Sequence, residues 1–136
     1  MKMSLISMAA VLGLTVCVCL FSVNFITDVC EEMEEVHEVV MDYAESGQAE
    51  RAHGELRRMA QIWKRQEDVM AVLVPHESIH EIMGLLIQAE ACLKAGDTDE
   101  FFESMAHVKE ALGRTMGTAT SVLSMMEVRW GGTKRN

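Results

Sequence analysis

From Met3 to Ile26 the chain carries no charged side chain, and Leu, Ile, Val, Met, Ala, Phe and Cys supply most of that run. A helix needs about 20 apolar residues to cross the hydrocarbon core of a bilayer, so the run is long enough to span one. A cleaved signal peptide has a shorter apolar core, roughly 7–15 residues, and a small-x-small cleavage site. No convincing Ala-x-Ala site precedes Asp28. A lipoprotein signal would need a small residue before Cys17, where Val16 stands. The reading is therefore an uncleaved signal anchor over residues 1–27, single-pass in the cell membrane. Lys2 lies on one flank and Asp28, Glu31, Glu32, Glu34 and Glu35 on the other. Basic residues stay cytoplasmic, which puts the amino terminus inside and the domain outside, extracytoplasmic.

Beyond the anchor, residues 28–136 hold all but Lys2 of the 12 bases and all 21 acids, net −10. That is enough chain for one small domain. Its charge is opposite to the basic face that phosphate neutralisation demands, which excludes nucleic acid as a partner class. One Pro and nine Gly in the whole chain do not supply the frequent turns of a β-sandwich. The fold class is all-α.

Apolar residues recur at heptad-like steps in four seams. The first is Val29, Met33, Val36, Val40 and Tyr43; the second is Ala49, Ala52, Leu56, Met59, Trp63, Gln66, Met70 and Leu73, with Gln66 out of character. The third is Ile79, Ile82, Leu86, Ala89 and Leu93; the fourth is Phe101, Met105, Val108, Leu112, Ala119, Val122 and Met126. Gly47, Pro75 and Gly96 punctuate them, since Gly suits the position just past a helix end and Pro the first turn of a new one. Asp97, Thr98 or Asp99 can cap the fourth helix. Short connections force antiparallel neighbours. The expectation is a transmembrane helix continuing into an up-down four-helix bundle at 28–128, followed by a basic tail at 129–136. Its core should hold Val36, Val40, Leu56, Met59, Trp63, Ile79, Leu86, Leu93, Met105 and Leu112, in a fully apolar interior.

Sliding the chain by the spacing of Gly47 and Gly96 superposes the two hairpins, with Glu32 on Glu81 and Arg65 on Arg114 among few identities. A duplicated helical hairpin fits this pattern. A turn at Gly47 should bring Glu38 near Arg57 and Glu31 near Lys64. The acids from Glu31 to Glu38 read as a solvated face, because consecutive ligands on one rigid helix cannot wrap a calcium ion. The dispersed Met residues read as core filling.

Two constellations could carry chemistry. His76-Glu77-Ser78-Ile79-His80 is an H-E-x-x-H pattern, which on a helix lets two His share Zn²⁺ while the Glu activates water. Met83 and Leu86 break the metzincin continuation, and Pro75 puts the motif in a fraying first turn. The pairs Glu34/His37, Glu50/His53 and Glu77/His80 have the Glu-x-x-His spacing of di-iron bundles. The seams place Glu34 and Glu50 opposite the core, and His37 and His53 at its flank, so these ligands should not converge. No cofactor and no catalytic residue are expected, and His76, Glu77 and His80 are the only metal candidates. Cys17 and Cys19 read as apolar filler, and Cys30 and Cys92 as too far apart for a disulfide.

Two surfaces remain. Gly113-Arg-Thr-Met-Gly117, with Thr118, Ala119, Thr120 and Ser121, offers a flat strip for close helix approach, which admits a homodimer; the same residues also make a weak, bendable stretch. Val69, Val72, Leu73 and Val74 at the Pro75 turn, with Arg129, Trp130, Lys134 and Arg135, should meet the outer leaflet, since Trp favours the headgroup region and bases favour anionic lipid.

Trp63, then His76-Glu77-x-Ile79 opening a helix after a break, then Leu86 and a Gly-ended helix, behind a single N-terminal span, resemble the bacterial domain of unknown function 4363 family. In that family an acidic residue is usual at the position of His80 and frequent at that of Met83. The resemblance thus implies that the H-E-x-x-H match is incidental. It also implies a membrane-anchored helical architecture, and no reaction. The sequence reading is a non-enzymatic interaction or scaffold module with the bilayer and an unidentified protein as partners. The alternatives are a ligand- or metal-sensing module and a zinc peptidase.

Overall fold

The computed structural model describes Lys2–Thr133, with side chains described through Ser121 and at Ser124. It comprises α1 (Lys2–Glu45), α2 (Ala49–Leu73), α3 (His76–Ala95) and α4 (Thr98–Thr133). Each helix packs on two neighbours, α1 on α2 and α4, and α3 on α2 and α4, while the diagonal pairs do not meet. This is the four-cornered antiparallel bundle that short connections dictate.

α1 runs without a break from the apolar stretch into the bundle. It is the helix long and apolar enough to cross a membrane, and the rest of the protein leaves its apolar stretch uncovered. Leu5, Ile6, Leu12, Leu14 and Phe21 are all more than half exposed. Thr15 and Ser22 donate their hydroxyls to the Val11 and Val18 carbonyls at 2.8 and 2.7 Å. Such back-bonding satisfies a hydroxyl inside its own helix and suits it to a medium without water.

The two hairpin turns are built alike. Gly47 and Gly96 both adopt φ +75°, the left-handed conformation that a Cβ disfavours. Gln48 N–H donates to the Tyr43 carbonyl at 2.9 Å and Gly47 N–H to Ala44 at 3.2 Å; Asp97 N–H donates to Cys92 at 3.0 Å and Gly96 N–H to Leu93 at 3.3 Å. These paired bonds close the orphan carbonyls of a helix end as a Schellman motif. Of the three capping candidates, Asp97 acts: its Oδ1 accepts from Glu100 N–H at 3.3 Å. At the middle connection Pro75 is the residue before α3 and holds Val74 extended, at φ −127° and ψ 144°, as a residue preceding proline prefers.

Nine of the ten expected core residues are buried; Leu93 is only half-buried and Cys92 takes the inner position. In this last turn of α3 it is Cys92 that turns toward α4, its thiol donating to Glu100 Oε2 at 3.8 Å. Tyr43, Gln66 and Leu73 are also half-buried, and Ala49 is exposed. Val122 and Met126 lie where side chains are not described. The interior is not fully apolar: His37, Ser104 and Thr115 are buried in it. Thr115 donates to the Ala111 carbonyl at 2.9 Å. His37 Nε2 lies 2.7 Å from the Met105 carbonyl, which fixes Nε2 as the protonated, donating nitrogen. Burial pushes the His37 pKa down, partly opposed by this hydrogen bond and lowered further by Lys109.

Neither expected ion pair of the first hairpin, Glu38–Arg57 or Glu31–Lys64, forms among the described residues. In the second hairpin Arg114 Nη2 donates to Glu81 Oε1 at 2.8 Å. Shifted by the hairpin repeat, that register pairs Glu32 with Arg65. It lies one residue further along each helix than the assumed one, and a residue is about 100° around a helix axis. That rotation separates the expected partners.

Burial repeats with the hairpins. α2 and α4 begin 49 residues apart, at Ala49 and Thr98. Buried Ala52, Leu56, Met59, Ile62, Trp63 and Met70 correspond in that shift to buried Phe101, Met105, Val108, Ala111, Leu112 and Ala119. Cys30, Met33 and Val40 on α1 correspond likewise to Ile79, Ile82 and Ala89 on α3.

Candidate functional site

The H-E-x-x-H residues open α3 on its outer surface. His76, Glu77 and His80 are all exposed, and the two imidazoles stack with centroids 6.1 Å apart. Among the described residues no three His, Cys, Asp or Glu side chains gather as metal ligands do. The Glu-x-x-His pairs also separate. His37 points into the core at Met105, whereas His53 Nε2 meets Glu90 Oε1 at 3.0 Å on the α2–α3 side. His37 is thus buried where the seams put it only at the core flank. The cysteines are distant from this chemistry: burial raises the Cys30 thiol to about 12, and burial with nearby Glu100 raises that of Cys92.

The concave site lies at the Pro75 end. A cleft of about 250 Å³ is walled by Ile26 of α1, by Leu73 at the end of α2, by Val74 and Pro75 of the connection, by Ser78 and Glu81 of α3, and by Ala111, Arg114, Thr115 and Thr118 of α4. Leu73 and Val74 pack partly buried against the core beside it, whereas Val69 and Val72 point outward, Val72 at 83 % exposure. The six-residue apolar run at the end of α2 is therefore divided between the core, the cleft and solvent. Across the cleft mouth the Glu81–Arg114 pair presents both charges, with the two side chains 45 % and 61 % exposed. Thr118 donates its hydroxyl to the Arg114 carbonyl at 3.0 Å.

Of the residues expected at a membrane surface, Val69, Val72, Leu73 and Val74 share this end of the bundle. α4 continues as helix through Arg129 and Trp130 to Thr133, past the boundary assigned at 128; the side chains of those two residues, and Lys134 and Arg135 altogether, lie outside the described residues. Sequence patterning placed Arg114, Thr115 and Thr118 only in a strip for close helix approach, and it did not single out Glu81 or Ser78. The signal within reach was the repeat: its two charged identities are Glu32/Glu81 and Arg65/Arg114, and in the second copy they are the two ends of one ion pair.

Fold and site define an all-α antiparallel bundle standing on an extended, uncovered apolar helix, with a cleft of mixed polarity where the two meet. The chain belongs to the family described as Domain of unknown function (DUF4363), whose model matches residues 20–122. No curated protein and no solved structure matches it.

Proposed function

We propose that the protein is a single-pass, membrane-anchored, extracytoplasmic bundle that acts as a non-enzymatic interaction module held against the outer leaflet. The observation that carries this reading is the unbroken passage of α1 from an uncovered apolar stretch into the packed core. A hydrocarbon core of about 30 Å takes up about 20 helical residues. A span starting at Met3 then ends near Ser22, with Ile26 roughly 6 Å outside it. The Pro75 end of the bundle thus stands in the headgroup layer.

α4 sets a condition on this placement. His37 lies beside Met105 and Ile26 shares the cleft with Thr118, so facing residues of α1 and α4 run in a fixed antiparallel register. A straight α4 in that register would carry Glu127 and Arg129 level with Val16 and Leu14, deep in hydrocarbon. Each such charge costs roughly 2.5–3.5 kcal/mol there. The placement therefore requires the last turns of α4 to part from α1 in a bilayer. The exposed, unclustered His76, Glu77 and His80 favour a non-enzymatic module over a zinc peptidase.

A reporter cysteine tests the topology. Gly54 is exposed with nothing within 4 Å of an added Cβ, while Cys30 and Cys92 are buried and Cys17 and Cys19 lie in the span. Full-length Gly54→Cys should resist alkaline extraction from membranes and react with a membrane-impermeant maleimide in intact cells, above the unsubstituted background. Labelling only after lysis would reverse the orientation, and release by alkali would remove the anchor. Stoichiometric zinc in the purified chain would overturn the non-enzymatic reading.

A further inference from the structure

The cleft at the Pro75 end combines three properties that one ligand class shares. Its first is a paired charge. The bond to Glu81 uses one of the five N–H groups of the Arg114 guanidinium, and the others form the planar fork that suits a phosphate. Beside it Glu81 offers a carboxylate. Thr115 and Thr118 spend their hydroxyl protons on the Ala111 and Arg114 carbonyls, so their oxygens face the cleft as acceptors. A positive fork beside a cluster of acceptors matches a phosphodiester joined to an ammonium group that can donate.

The second property is an apolar floor. Ile26, Leu73 and Val74 line the cleft, and below Ile26 the surface of α1 continues through Phe25 and Phe21, whose rings stack at 6.3 Å. Phe21 is 67 % exposed. The acyl chains of a headgroup seated on Arg114 and Glu81 would run beside the uncovered apolar stretch of α1. The third property is charge at long range. Residues 28–136 carry 11 bases against 21 acids, so the net charge of the domain gives an anionic headgroup no long-range advantage over a net-neutral one.

We propose that this cleft binds the headgroup of a zwitterionic phospholipid bearing a primary ammonium, phosphate on Arg114 and ammonium on Glu81, Thr115 and Thr118. The proposal rests on the membrane-anchored reading above. A trimethylammonium headgroup has the same charge but no N–H to donate, so the site discriminates between the two by hydrogen bonding.

The test uses the full-length chain purified in detergent, with lipid retention counted by native mass spectrometry after exposure to equal concentrations of dioleoyl phosphatidylethanolamine, phosphatidylcholine or phosphatidylglycerol. Phosphatidylethanolamine should be retained over phosphatidylcholine by roughly tenfold, the effect of one charge-assisted hydrogen bond. Glu81→Gln should bring it down to the phosphatidylcholine level, and Arg114→Gln should reduce retention of both. Arg65→Gln, at the corresponding position of the first hairpin, should change neither, and circular dichroism should show all three variants folded. Equal retention of the two zwitterions by the unsubstituted chain, a preference for phosphatidylglycerol, or equal loss in Arg65→Gln would overturn the proposal. Displacement by soluble glycerophosphoethanolamine at the same concentration would make the ligand a soluble zwitterion and overturn the lipid assignment. A chain that resists alkaline extraction yet shows no preference refutes the headgroup site alone; a chain released by alkali refutes the anchored reading beneath it.

Discussion

Replacing Trp63 probes the bundle where α2 and α3 are tied together. Trp63 is 1 % exposed and the largest of the fully buried side chains, and its Nε1–H donates to the Ile79 carbonyl at 3.2 Å. Truncation to Ala removes a buried aromatic, which costs about 3–5 kcal/mol, and the hydrogen bond adds about 1 kcal/mol. Against a total of roughly 5–15 kcal/mol for a domain this is a large fraction. At about 4–8 °C per kcal/mol for a domain near this size, Trp63→Ala should lower Tm by roughly 20 °C or more. Trp63→Phe keeps most of the apolar volume and loses the donor, so it should fall between, at about 1–2 kcal/mol. The assay is thermal unfolding of the full-length chain in detergent, followed at 222 nm, where the anchor stays helical and the bundle melts. A Tm within about 3 °C of the unsubstituted protein, on a scale where 1 kcal/mol already moves a small domain further, would show that Trp63 is not a core residue and that the α2–α3 packing described here is wrong.

Three further substitutions test other links. His37 has its pKa lowered by burial, so below the ordinary imidazole value near 6.5 the unfolded chain binds more protons than the folded one and stability falls with falling pH; His37→Leu, which installs the residue found at the repeat position Leu86, should flatten the Tm decline between about pH 6.5 and 5.5, and an unchanged slope would assign that decline to other groups. Gly96→Ala forces a Cβ into φ +75° and should destabilise by about 1–2 kcal/mol, whereas Gly54→Ala in the exposed helix of α2 should stabilise by about 0.8–1 kcal/mol; denaturant unfolding that gives both the same sign would contradict the turn geometry.

What could be read ahead of the structure was whatever has a period or a punctuation mark. The seams through Val36, Leu56, Ile79 and Met105 are visible because burial on a helix repeats every 3.6 residues, and Gly47 and Gly96 because a left-handed helix end selects glycine. Failures came where the answer depends on rotation about an axis or on contacts between distant segments. The Glu38–Arg57 and Glu31–Lys64 pairings needed the register to within one residue. His37 was placed at the core flank because its heptad position is marginal, and only the approach of α4 at Met105 buries it. The cleft draws on all four helices and a connection, and no local window contains more than a part of it.

The internal repeat explains why the site lies where it does. In the 49-residue shift, the start of α3 at His76 corresponds to Thr27, so everything on α1 before Thr27 has no counterpart in the second hairpin. The Pro75 connection joins the copies and has no counterpart either, and α4 runs on past the position matching the end of α2. All three departures from the repeat fall at one end of the bundle, while the opposite end keeps two nearly identical Schellman turns. A duplicated hairpin needs only matched seams to pack, and those are retained throughout. Additions that serve packing would be distributed over both copies; an anchor, a linker and an extension gathered at one end respond to something met at that end. The cleft lies where these parts meet the repeat, since Ile26 and Pro75 come from segments without a counterpart while Glu81, Arg114 and Thr118 belong to the repeated hairpin. On the membrane-anchored reading proposed above, the repeat supplies the packed frame and the end where the repeat fails is the end turned toward the bilayer.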